Sequence, residues 1–142
     1  MFLLDTNVVS ELRKVRSGKA DRNVAQWAIA ADAGRLFLSA IVVQELETGA
    51  LLLERRDARQ GALVRRWLED HVMRAFDGRI LPVDTAVARR CGALHVPDPQ
   101  PARDALIAAT ALVHGMTVVT RNVADFVPMG VAIFNPWIAA AR

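Results

Sequence analysis

Short apolar runs recur along the chain, and most end on a small polar or acidic residue. Phe2-Leu3-Leu4 is followed by Asp5-Thr6-Asn7, and Leu36-Phe37-Leu38 by Ser39. Further runs cover Ile80-Leu81, Met116–Thr120 and Val131–Phe134. Short continuous runs of this kind fit strands buried on both faces of a parallel sheet. Between them, apolar positions recur three and four apart, the spacing of one helix face. Asp5-Thr6-Asn7 can cap a helix over Val8–Arg13. Val24, Trp27, Ala28 and Ala31 stripe a helix over Asp21–Ala33, with Gly34 as its stop. Ser39 can cap a helix over Ile41–Arg56, Ala58–Met73 reads as another, and Gly78 breaks the pattern. Asp84 or Thr85 opens the next helix, and Ala102–His114 forms the last long one, ended by Gly115. Three prolines within Val96–Pro101 keep the connection between them irregular. Strands alternating with helices predict an α/β sandwich around a mainly parallel sheet. Ligands of such sheets bind beyond the carboxyl ends of the strands, which is where Asp5 falls.

Composition narrows the class. With 142 residues and 53% apolar content, the chain suits one domain over residues 1–142, with its own core. The lone Cys91 excludes an internal disulfide and fits a reducing, cytoplasmic setting. Phe2–Leu4 is too short for a secretion signal, and no apolar run approaches the roughly 20 residues of a membrane span. The net charge is only +3, yet sixteen of the eighteen basic residues are arginines, which suits planar contacts with phosphate or carboxylate. Arg55, Arg56, Arg59, Arg65 and Arg66 lie within twelve residues, as a basic rim for a phosphate backbone or as a solvated helix face. Arg13, Lys14 and Arg16 make a second candidate rim, and Arg121 lies nearer the strand ends.

Acidic residues gather at one end of the predicted sheet. Glu45 follows the second strand by one helical turn, on a face shared with Ile41, Thr48 and Leu52, whereas Glu47 points to solvent. Gly49, one turn later, suits close approach by a neighbouring backbone. Asp104 opens the helix before the fourth strand, in phase with Ile107 and Ala111, and "TRNVAD" brings Thr120, Asn122 and Asp125 to that strand's end. Each acid also has a plainer reading: Asp5 as a helix cap, Glu45 as a surface acid, Asp104 as a charge favoured near a helix N-terminus, Asp125 as a loop residue. Gathered carboxylates raise one another's proton affinity, and a hard divalent cation such as Mg²⁺ or Mn²⁺ reverses that penalty. Such an ion activates water and stabilises charge on a phosphoryl group, which points to phosphodiester hydrolysis. Competing classes lack their parts. There is no glycine-rich turn or GK[ST] loop, Asn7 stands where an aspartyl-phosphate enzyme needs a second aspartate, and Lys14 and Lys19 are misplaced for a receiver domain. His71, His95 and His114 lack the setting of a general acid or base.

Taken together, "FLLDTNVVSEL", "LSAIVVQELETG", "RDALIAATALVHGMTVVTRNVADF" and "VAIFNP" resemble the PIN-domain ribonucleases of the VapC or FitB toxin type, over essentially the whole chain. The resemblance implies a PIN-like three-layer α/β/α sandwich with a five-stranded parallel sheet of order 3-2-1-4-5. It implies a Mg²⁺ or Mn²⁺ site at Asp5, Glu45 and Asp104. The fourth position is divided between Asn122, where relatives can carry Asp, and Asp125. Thr6, Asn7 and Thr120 are read as supporting residues, and Arg13, Arg55, Arg56, Arg59 and Arg121 as candidates for the substrate backbone. The resemblance also implies endoribonuclease activity on RNA as the toxin of a toxin–antitoxin system. With it come a cognate antitoxin, a homodimer, and DNA contact only through the antitoxin complex. DNA hydrolysis by the same chemistry, or an inert relative serving as a binding partner, are the competing readings.

Overall fold

Five short parallel strands form one sheet in the computed structural model, which describes residues 1–139. They are β1 (Phe2–Leu4), β2 (Leu36–Ser39), β3 (Ile80–Leu81), β4 (Thr117–Val119) and β5 (Ile133–Phe134), ordered β3-β2-β1-β4-β5. Every neighbouring pair is parallel, and Phe2 of the central strand pairs with Leu36 on one side and Thr117 on the other. Leu3, Leu4, Leu38, Val118 and Val119 are fully buried, as strands covered on both faces require. Strands this short make few ladder bonds, each contributing about 1 kcal/mol net. Burying one Leu or Val side chain contributes about 1.5–3 kcal/mol, so packing dominates the centre of the sheet.

The helices α1 (Thr6–Leu12), α2 (Arg22–Ala30), α3 (Ala40–Arg56), α4 (Ala58–Trp67), α5 (Met73–Ala75), α6 (Thr85–Leu94), α7 (Ala102–His114) and α8 (Val123–Phe126) flank the sheet in an α/β/α sandwich. Asp21, Ser39 and Asp84 cap α2, α3 and α6 by accepting backbone N–H bonds at 2.9–3.1 Å. Gly115 ends α7 at φ 66°, a left-handed conformation that glycine adopts at little cost. β1 reaches α1 through Asp5 alone, and β2 runs directly into α3. These tight turns bring the starts of both helices to the carboxyl end of the sheet.

Several local expectations are corrected. α2 stops at Ala30 rather than Ala33, because Asp32 accepts a bond from the Gly34 N–H at 3.0 Å and opens a separate 3₁₀ turn over Ala33–Arg35. Ala58–Met73 is not one helix: α4 ends at Trp67, and a π-type turn over Leu68–Val72 leads into α5. A single widened turn barely disturbs the apolar stripe, so periodicity alone does not register it. β4 and β5 are shorter than Met116–Thr120 and Val131–Phe134, although the Thr120 N–H still bonds the Phe134 carbonyl at 3.0 Å. Among the described residues, nothing lies within 4 Å of where a Gly49 Cβ would stand, so no neighbouring backbone approaches it there. Close approach occurs at Gly61, where a Cβ would stand 2.4 Å from the Glu54 Cα and drive α4 off α3. Among the described residues, no helix is long and apolar enough to cross a membrane.

Candidate active site

Asp5 stands over the end of the central strand and is 1% exposed. Its Oδ1 accepts from the Thr6 N–H at 2.8 Å, and its Oδ2 accepts from the Thr120 hydroxyl at 2.8 Å and the Asn7 amide at 3.2 Å. Three of the roughly four lone-pair positions of this carboxylate are thereby engaged, which fixes its orientation. The cap reading therefore holds, but only for one of the three bonds. Asn7 also donates to Thr120 Oγ1 at 3.3 Å, and its Oδ1 accepts from the Arg121 N–H at 3.2 Å. Thr120 Oγ1 accepts a further bond from the Asn122 N–H at 3.0 Å.

The second acid is tied to this hub through a neighbour. Thr6 Oγ1 donates to Glu45 Oε1 at 2.7 Å, joining the start of α1 to the second turn of α3. Glu45 Oε2 accepts from Arg103 Nη1, and Arg103 Nη2 donates to Asp104 Oδ1 at 2.9 Å. Thr6, Glu45, Arg103 and Asp104 thus form a continuous chain of polar contacts that begins beside Asp5. Arg103 is absent from the site residues that the sequence predicts. A signal was present: a cation in the first turn of a helix opposes the helix dipole, so it calls for nearby acids.

Burial and neighbouring charges meet at Asp104. Burial pushes the Asp104 carboxyl up from its usual range, Arg103 pulls it down, and the charges of Asp5, Asp125 and Glu45 push it up again. Burial opposes the Arg103 charge, but Glu45, Asp104 and Asp5 outweigh it and raise the guanidinium further. Among the described residues, no group of three or more His, Cys, Asp and Glu side chains converges closely enough to hold a metal ion. Arg103 lies between two of the acids. In chemistry the donors still fit a hard divalent cation, being carboxylate oxygens grouped around Asp104, whose proton affinity is raised first by burial and then by the charges of Asp5, Asp125 and Glu45.

The remaining candidates lie around this core. Asp125 is exposed on α8, and its charge reaches Asp104. Asn122 is exposed just ahead of α8 and joins the hub through its backbone. Glu45 separates two grooves. One, of about 530 Å³, is bordered by Ile41, Gln44, Thr48, Leu52, Arg103 and Leu106. The other, of about 290 Å³, carries Thr6, Arg13, Lys14 and Trp67. The Arg13 guanidinium lies 5.9 Å from the Trp67 ring centroid, and that of Arg121 lies 5.3 Å from Trp137. Arg55, Arg56 and Arg59 are exposed where α3 meets α4. Arg65 does not join them as a free rim residue, because Glu47, Glu54 and Glu69 hold it. His95 is occupied locally, its Nδ1 accepting from the Gln100 N–H at 3.0 Å.

A parallel 3-2-1-4-5 sheet with acids over its central strands defines a class that known proteins share. Residues 2–126 match the model of the PIN domain, and the chain belongs to the PIN-domain family. Within that family it is closely related to toxins of the VapC and FitB type. It is 37% identical to VapC ribonuclease Y4jK of Sinorhizobium fredii, over 96% of this chain and 98% of that protein. Toxin FitB of Neisseria gonorrhoeae is 39% identical, over 96% of this chain and 99% of that protein. A chain in the solved structure of FitAB bound to an IR36 DNA fragment aligns with a TM-score of 0.89 at 34% identity, covering 99% of both chains.

Proposed function

We propose that this chain is a divalent-metal-dependent endoribonuclease and the toxin of a toxin–antitoxin pair. The observation that carries the reading is the linkage of Asp5, Glu45 and Asp104 through Thr6 and Arg103 over the carboxyl end of the sheet. These three acids would hold Mg²⁺ or Mn²⁺, with the further position divided between Asn122 and Asp125. An ion held there would supply water activation and electrostatic stabilisation of phosphoryl charge. Thr6, Asn7 and Thr120 orient the carboxylates, so that little reorganisation accompanies the reaction. Arg13, Arg55, Arg56, Arg59 and Arg121 offer guanidinium groups to the RNA backbone.

Kinship with toxin FitB, and the solved FitAB–DNA structure, support a cognate antitoxin and DNA contact through the joint complex. A homodimer, a cytoplasmic site of action and a single PIN unit over residues 1–142 complete the reading. The test uses purified, antitoxin-free, metal-stripped protein with single-stranded RNA, structured RNA and DNA, with and without added Mn²⁺. Metal-dependent cleavage of RNA, with DNA left intact, is the expected result. Intact RNA in every lane, or DNA cut as readily as RNA, would overturn the reading.

A further inference from the structure

Arg103 occupies the place in this site where a cation is most wanted. It is the second residue of α7, yet its guanidinium reaches across to α3. Nη1 donates to Glu45 and Nη2 to Asp104 Oδ1 at 2.9 Å, so one side chain satisfies two of the three acids. Asp104 is itself only 4% exposed and depends on such a partner. We propose that Arg103 is the resident cation of the acid site: it ties Glu45 to Asp104 in the metal-free protein and releases them when a divalent ion binds. The proposal rests on the metal site argued above and adds a competitor for it.

The exchange follows from charge and geometry. A guanidinium brings one delocalised charge and binds carboxylates through a planar fork, whereas a divalent ion brings two charges and takes the oxygens directly. The Arg103 side chain is 39% exposed and borders the groove that also contains Thr48, Leu52 and Leu106, which gives it room to withdraw. Apparent metal affinity then falls by the fraction of molecules in which the acids are free of Arg103. The arginine is a positioning residue in the metal-free state.

The test is Mn²⁺ binding to the metal-stripped, antitoxin-free full chain, read directly by isothermal titration and by the electron paramagnetic resonance signal of free Mn²⁺. R103Q removes the charge and the fork, while R103K keeps the charge but loses the fork. Exchange predicts binding tighter by about tenfold in R103Q and by about threefold or more in R103K. Tighter binding in R103Q alone, with R103K equal to wild type, would reduce Arg103 to a diffuse electrostatic influence and overturn the proposal. Asp104-dependent binding that is the same in all three proteins would remove the exchange but leave the metal site standing. Wild-type binding that survives Asp104→Asn unchanged would remove the metal site itself, and the exchange with it.

Discussion

Two arginines in this protein each gather several carboxylates, and α3 contributes to both assemblies. Glu45 and Glu47 are two residues apart, so they leave the helix on nearly opposite faces. On one face, Arg65 holds Glu47 at 2.6 Å, Glu54 at 2.9 Å and Glu69 at 3.4 Å, pinning α4 to α3. On the other, Arg103 joins Glu45 to Asp104. Glu47, Glu54 and Glu69 are 45%, 37% and 57% exposed, so water already solvates them and salt screens the pairs. Asp104 is nearly sealed from solvent, with three further acids acting on it. The same guanidinium–carboxylate chemistry is a surface brace in one place and a bridge inside a crowded, largely buried group of acids in the other. Desolvation makes the difference.

Neutralising the two glutamates separately should have the largest effect. Glu45→Gln should reduce RNA cleavage on the order of 10²–10³-fold or more, measured as initial rates on a defined RNA. Glu47→Gln should stay within about twofold of wild type. Similar losses in both would erase the distinction. Next in size is Thr120→Val, which removes the hydroxyl that donates to Asp5 but keeps the side-chain shape. Cleavage or Mn²⁺ affinity should drop about 10–100-fold with the fold intact by circular dichroism.

Gly61→Ala acts on the brace instead. The added methyl meets the Glu54 backbone and should cost about 1–3 kcal/mol in urea denaturation, with the cleavage rate per folded molecule unchanged. The smallest effect concerns pH. Burial, joined by Asp5, Asp125 and Glu45, raises the Asp104 carboxyl above its ordinary 3.8, so the folded protein keeps a proton that the unfolded chain has released. That contribution is complete below the ordinary value and is lost as pH rises through the folded one. Metal-free wild type should therefore lose stability across that span relative to Asp104→Asn. Parallel curves for the two proteins would count against the assignment.

The sheet was legible in the sequence because each strand is a continuous apolar run ending in a polar residue. Its order came from family resemblance, since runs alone do not state which strands are neighbours. Asp5 was legible for the same reason as β1: the strand leads straight into it. Arg103 was not. Its partnership with Glu45 spans 58 positions, and no local spacing encodes it. The helical spacing turns Glu47 to solvent, which fits its exposure, but its clasp with Arg65 depends on how α4 folds back. Crowding at a glycine is equally non-local. Gly49 and Gly61 are both helical, and only the position of the neighbouring helix shows that Gly61 is the one where space is short.

Asp5 is the acid most firmly fixed at the end of the sheet, so the proposed metal-dependent cleavage of RNA depends on it most. The direct measurement is cleavage of single-stranded RNA by metal-stripped wild type and Asp5→Asn, titrated with Mn²⁺ in parallel. Wild-type cleavage should rise with Mn²⁺ and vanish in chelator, while folded Asp5→Asn should remain on the order of 10³-fold slower throughout. Equal rates for the two proteins, or cleavage undiminished in chelator, would contradict metal-dependent hydrolysis at Asp5.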